Sequence, residues 1–148
     1  MEYQVLIADP IAQEGLDLLR KGAAVVVRTG LTPAELLREV PGYDALVVRS
    51  ETRVTSAVLA AGKRLKVVAR AGVGVDNVDV AMATRLGIVV VNAPTGNTIA
   101  AAEHTIALMM ALARYLPQAH ASLSHGEWQR SRFIGVEVSG KVLGIIST

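Results

Sequence analysis

The sequence contains no cysteine. Disulfide frameworks, cysteine-ligated zinc sites and thiol nucleophiles are therefore excluded. Aromatic residues are also scarce: Phe, Tyr and Trp make up 3% of the 148 residues and are scattered. Nucleic-acid binders of the single-strand type need aromatic platforms beside a basic track. Here 15 Lys and Arg nearly balance 13 Asp and Glu, with no block of like charge, so no nucleic-acid partner is expected. Charged residues are only 19% against 51% hydrophobic, which excludes a disordered chain. Long apolar runs are missing as well. The most apolar stretch, Thr98–Leu116, is interrupted by Glu103, His104 and Arg114. Its longest uncharged piece, Thr105–Ala113, is too short to span a bilayer. Met1–Pro10 carries Glu2 and Asp9 and no basic segment, unlike a signal peptide. The expectation is a soluble, cytoplasmic protein without a membrane partner.

What is present is a repeating pattern. Five short runs rich in β-branched residues occur at Val5–Ala8, Ala24–Val27, Ala45–Val48, Lys66–Ala69 and Gly87–Val91. Apart from Lys66 at the head of the fourth, each is continuously apolar, as strands buried on both faces of a parallel sheet are. Helical patterns lie between them at Ile11–Leu19, Pro33–Val40, Ser56–Ala61 and Val78–Leu86. Thr32 with Pro33, and Thr55, read as helix starts, and Asp76 or Asn77 is placed to cap the fourth helix. Gly22, Gly42, Gly62 and Gly87 follow the helical runs, where a glycine can take positive φ. Strands alternating with helices predict an α/β fold with helices on both faces of a parallel sheet, in the doubly wound order 2-1-3-4-5.

The pattern changes after Val91. Asn92–Asn97 reads as a turn-rich hinge, followed by a long helix over Thr98–Leu116 that ends at Pro117. That helix is apolar almost all round, so it needs cover on several sides. Residues 118–140 read as polar and irregular, with Trp128 and Phe133 as anchors. Lys141–Ile146 reads as one more buried strand. The organisation expected is a first domain over 1–97 and a connecting helix with the start of a second domain over 98–148.

In open α/β sheets, ligands bind outside the carboxyl ends of the strands. Three segments of this chain lie there. Arg49 and Ser50 end the third strand, and a guanidinium with a hydroxyl suits a phosphate or carboxylate. Arg49 can equally pair with Glu51 or Asp76. Gly72-Val73-Gly74 follows the fourth strand and leads into a helix. The segment reads either as an anion-binding turn or as a tight strand–helix connection. It is not a dinucleotide fingerprint, because Asn77 stands where the third glycine belongs. Asn97 sits in the hinge, where it can cap the long helix. No metal site is expected: His120 and His125 lack helical i, i+4 spacing, and His104 lies on the apolar helix. No Gly-x-Ser-x-Gly elbow is present, and Arg49-Ser50 replaces the acid a phosphoacceptor domain needs at the third strand.

Taken together, residues 47–50, 65–79, 87–98, 101–105 and 140–146 resemble the D-2-hydroxyacid dehydrogenase family. Within it they are most similar to the branch that oxidises 3-phosphoglycerate at its 2-hydroxyl, the opening step of serine biosynthesis. The resemblance implies a flavodoxin-like substrate-binding domain, with Arg49 and Ser50 on the substrate phosphate. It places the Gly72, Val73 and Gly74 backbone at the substrate carboxylate and Asn97 at the hinge beside it. Val73 would meet the nicotinamide of NAD. Residues 98–116 would take part in a homodimer or a domain-swapped oligomer, and residues 140–146 would open a Rossmann domain. The family's cofactor fingerprint and proton-transfer residues correspond to nothing in these 148 residues, so no catalytic residue is assigned. The chain alone is expected to be a truncated portion, inert and without cofactor. Two alternatives stand beside this: a self-standing anion-binding module, and the same portion of another D-2-hydroxyacid dehydrogenase.

Overall fold

A computed structural model describes residues 2–146. Ser147 and Thr148 lie outside the described residues. The chain divides into two compact units, Met1–Asn97 and the residues from Thr98 onward.

In the first unit β1 (Gln4–Ile7), β2 (Ala24–Val27), β3 (Ala45–Val48), β4 (Val67–Arg70) and β5 (Val89–Asn92) form one parallel sheet. The order is β2-β1-β3-β4-β5, as the alternation of strands and helices predicts. The helices are α1 (Gln13–Leu19), α2 (Pro33–Glu39), α3 (Ser56–Ala61) and α4 (Val80–Arg85). Thr32 starts α2 through a reciprocal cap: its hydroxyl accepts the Glu35 N–H at 3.3 Å, and the Glu35 carboxylate accepts the Thr32 N–H at 2.8 Å. Thr55 caps α3. The cap of α4 is Asp79, whose carboxylate accepts the Met82 N–H at 2.9 Å, rather than Asp76 or Asn77. Those two side chains are engaged in the preceding loop. Of the four glycines expected at positive φ, only Gly87 adopts it, at φ +71°. Gly62 serves a different need, since a Cβ there would sit 2.9 Å from that of Leu65.

The two faces of the sheet are covered unequally. One packs Leu6, Leu46, Val48 and Val68 against Leu36, Val58, Leu59 and Ala83 of α2, α3 and α4. The other packs Val5, Ile7 and Val47 against Ile11, Leu16 and Leu19 in and before α1. The run at β5, expected to be buried on both faces, leaves Val89 56% and Val91 44% exposed. Continuous hydrophobicity marks a strand but does not say which neighbours cover it.

The second unit differs from expectation in three places. The long helix stops early: α5 covers Thr98–Ala113, and a separate helix α6 covers Leu116–Ser124 at 63° to it. Pro117 lies in the first turn of α6, where a missing N–H costs nothing, so it begins a helix instead of ending one. The break falls at Tyr115, with φ +51°, and the Ala113 carbonyl is taken by the Val136 N–H at 2.9 Å. Residues 118–140 are consequently less irregular than they read. They hold most of α6 and a 3-10 turn at Arg130–Phe133. Trp128 is no anchor, being 74% exposed, while Phe133 is half-buried. Finally, Lys141–Ile146 pairs with no strand among the described residues, and Val142 and Ile146 are each 98% exposed. A strand exists only through its neighbours.

At the amino edge of the sheet, buried Asp44 joins β1 to β3. Its carboxylate accepts the Gln4 N–H at 2.9 Å and an Arg64 N–H at 2.8 Å. The Gln4 bond first, and then Arg64, holds its pKa below the ordinary carboxylate value against the opposing effect of burial. A depressed folded pKa adds stability above the unfolded value, about 3.9, and that contribution is lost as pH falls through the folded value. Asp44→Asn is therefore expected to lower Tm at neutral pH, with the gap to wild type narrowing below about pH 4. Thermal unfolding of both proteins across acid pH checks this. A gap that stays constant would show that the carboxylate charge is not responsible.

Candidate functional site

The carboxyl edge of the sheet is stitched together by side chains reaching from one strand tip to the next. At the end of β1, Asp9 is 2% exposed. One of its carboxylate oxygens accepts the Arg49 N–H at 2.5 Å and the Thr52 N–H at 3.1 Å; the other accepts the Thr52 hydroxyl at 2.5 Å. From the loop after β4, the Asn77 amide donates to the Arg49 and Thr52 carbonyls, both at 2.6 Å. From β5, the Asn92 amide donates to the Val73 carbonyl at 2.5 Å, and the Ala93 N–H to the Gly72 carbonyl at 2.9 Å.

This framework places the predicted residues as follows. Val48 pairs with Arg70 in the β3–β4 register, so Arg49 and Ser50 leave the sheet beside Ala71 and Gly72. The Arg49 guanidinium is exposed and forms no ion pair among the described residues. Neither Glu51 nor Asp76 takes it, because Asp76 turns to Arg70 at 3.5 Å. Arg49 and Ala71 line a depression of about 440 Å³ with Pro10, Ile11 and Ala12, at the point where the chain winds to opposite sides of β1. That is the usual ligand position in such folds. The backbone N–H groups of Ser50, Glu51, Val73 and Gly74 make no hydrogen bond among the described residues. Two neighbouring tips thus carry N–H groups without acceptors among the described residues, and one of them bears an uncommitted cation. Asn97 is not drawn in: it is exposed at the end of the first unit and bonds to neither tip.

Sequence reasoning missed three contributors. Asp9 and Asn77 act through the backbone of residues 49 and 52, which no local pattern announces. Arg70 lies folded under its own loop, with a side chain only 11% exposed, and donates to the Gly74 carbonyl at 2.6 Å. The tips of two side chains come close to both glycines. A Cβ at Gly72 would lie 3.2 Å from the guanidinium, and one at Gly74 would lie 2.9 Å from Asp76 Oδ1. Two buried atoms here, Arg70 Nε and Asn77 Oδ1, have no hydrogen-bond partner among the described residues. Each such atom costs about 1–3 kcal/mol. Local conflict of this kind is expected at sites more than in scaffold.

The same loop does not suit the pyrophosphate of a dinucleotide. Asn77 occupies the third glycine's place and is committed to the β3 tip, and the Asp79 carboxylate already caps the six-residue α4. The described residues contain no cluster of His, Asp and Glu able to hold a metal ion.

Fold and site together define a doubly wound α/β domain that carries a basic residue and unbonded backbone N–H groups at its carboxyl edge. The chain belongs to the D-isomer specific 2-hydroxyacid dehydrogenases, whose catalytic-domain model matches residues 5–141. It is 56% identical to the D-3-phosphoglycerate dehydrogenase of Archaeoglobus fulgidus, over 97% of this chain and 27% of that protein. It therefore spans well under two thirds of the length of this relative. Among solved structures, the TT0316 protein of Thermus thermophilus superposes with a TM-score of 0.85 at 36% identity, over 93% of this chain and 46% of that one. An NAD+-bound 3-phosphoglycerate dehydrogenase of Entamoeba histolytica matches at 25% identity with a TM-score of 0.70, over 77% of this chain and 40% of that one.

Proposed function

We propose that this chain is the substrate-binding portion of an NAD-dependent D-3-phosphoglycerate dehydrogenase. The observation that carries the reading is the unpaired Arg49 guanidinium beside free N–H groups on two strand tips. In this reading Arg49 and Ser50 hold the substrate phosphate. The Val73 and Gly74 N–H groups, with Gly72 shaping the turn, hold the carboxylate. Val73, 41% exposed, offers its methyl groups to the nicotinamide ring. The family resemblance puts Asn97 beside the substrate, but here it is exposed and bonds to neither tip, so it is assigned no contact. NAD, when bound by the whole enzyme, accepts the hydride from C2 of the substrate; the residues present here bind and orient that substrate. None of them is assigned to proton transfer, so the isolated chain is expected to show no NAD-linked turnover.

Calorimetric titration with 3-phosphoglycerate and with glycerate tests the reading. Tighter binding of the phosphorylated acid, accompanied by NMR shifts at residues 49–51 and 72–74, is expected. Equal affinity for the two acids would overturn the phosphate assignment and favour a different hydroxy acid.

Self-association belongs to the same proposal. No residue of α5 is buried, and Ile99, Ile106, Leu108 and Leu112 are 49–76% exposed. An apolar patch of this kind is commonly an interface. Sedimentation velocity at high micromolar concentration is expected to show a dimer or larger species. A monomer throughout would refute this part.

A further inference from the structure

Asp9 and Asn77 touch no residue that the reading above places on the substrate except through the backbone of one loop. That loop, residues 49–52, is held in an unusual way. At both of its ends the N–H is fixed from one side and the C=O from the other. Asp9 takes the N–H groups of Arg49 and Thr52, and Asn77 takes their carbonyls. The Thr52 hydroxyl adds a fifth bond, to Asp9. A parallel bridge between Val54 and Val78 fastens the next turn to the same neighbour. Between the fixed ends stand Ser50 and Glu51, whose N–H groups are free.

We propose that Asp9 and Asn77 form a two-sided clamp that sets the Arg49–Thr52 loop in its anion-binding shape, making both of them positioning residues for the phosphate. The proposal rests on the reading of Arg49 and Ser50 as the phosphate site. Its physical basis is preorganisation: an anion gains most from donors already aimed at it. A loop clamped at both ends loses little freedom when the anion arrives. Asn77 also explains the departure from the glycine pattern. A glycine there would have no side chain to reach the β3 tip.

The clamp makes a prediction opposite in sign to simple electrostatics. Asp9 is an anion beside an anion site, so neutralising it would tighten phosphate if charge alone mattered. If Asp9 positions the loop, Asp9→Ala weakens phosphate instead, because no oxygen is left to accept the Arg49 and Thr52 N–H groups and the Thr52 hydroxyl. The experiment is an NMR titration of the 148-residue chain with inorganic phosphate, below the melting temperature of every variant. Expected are losses of roughly tenfold or more for Asp9→Ala and Asn77→Ala, about what one hydrogen bond to a charged group is worth. Thr52→Val should weaken binding while Thr52→Ser retains it, which rescues the hydroxyl's role. Asp44→Asn removes a comparable buried carboxylate at the opposite edge of the sheet and should leave phosphate affinity unchanged. Should Asp9→Ala fail to fold, the half-buried Asn77 and Thr52 variants carry the test. If Arg49→Ala abolishes binding while Asp9→Ala tightens it and Asn77→Ala leaves it unchanged, the clamp is overturned and the site stands. If Arg49→Ala has no effect, the site itself is misplaced and the clamp falls with it.

Discussion

Arg49→Ala is expected to weaken binding of 3-phosphoglycerate by one to two orders of magnitude while leaving the fold intact. The guanidinium is exposed and forms no ion pair among the described residues, so its removal strands no internal partner. Surface substitutions of that kind change stability by about 0.5 kcal/mol or less. Binding is another matter. A charge-assisted bond to phosphate contributes about 1.5–3 kcal/mol, a factor of roughly 10 to 150. Arg49→Lys is expected to recover only part of the loss, since a point charge replaces a planar fork that contacts two phosphate oxygens at once. The check is a pair of titrations, one with 3-phosphoglycerate and one with glycerate, on all three proteins. The loss should fall on the phosphorylated ligand and be nearly absent for glycerate. An equal loss for both would place Arg49 at the carboxylate and reverse the orientation of the substrate between the two tips.

The second large effect concerns stability. Leu46→Ala is expected to destabilise the first unit by about 3–4 kcal/mol. Leu46 is fully buried at the centre of β3, in register with Leu6 on one side and Val68 on the other. It packs toward the face covered by three helices, where Leu36, Val58 and Leu59 leave little room for collapse into the space it vacates. The lost transfer energy and the residual cavity therefore add. For a unit of this size the fall in Tm is roughly 12–30 °C. The matched control is Val89→Ala on β5. Val89 is apolar and β-branched like its neighbours, but it is 56% exposed, and its removal should cost about 0.5 kcal/mol or less. Chemical denaturation of both variants decides. Comparable costs would mean that the outer face of β5 is covered in solution, with self-association the first explanation to examine.

Much of this molecule was legible along the chain. The regular return of Val-rich runs, with Thr32-Pro33 and Thr55 opening helices between them, specified a parallel α/β sheet and its order. Such runs bury themselves only with a crossover helix after each strand, and right-handed crossovers leave few orders to choose from. The tips that bear Arg49 and Gly72–Gly74 could be placed for the same reason: consecutive parallel strands all end on one edge. Helix ends were less legible. Pro117 reads as a terminator, yet it begins α6, because proline's ring fits a first turn as readily as it breaks an interior one.

The residues in their order were enough to say which strands exist, how they are arranged, and that a basic residue and a glycine turn share an edge. These follow from local chemistry, apolar periodicity and backbone freedom, which each residue carries wherever it goes. The rest came from the packing of the folded chain. Asp9, forty positions before Arg49, holds that residue's backbone. Asp76 pairs with Arg70, which leaves Arg49 uncommitted. Val89, Val91 and Lys141–Ile146 lack the cover their composition calls for. Partnership and cover depend on which groups meet in space, and a hydrogen bond or a buried face has no existence until both sides are in place.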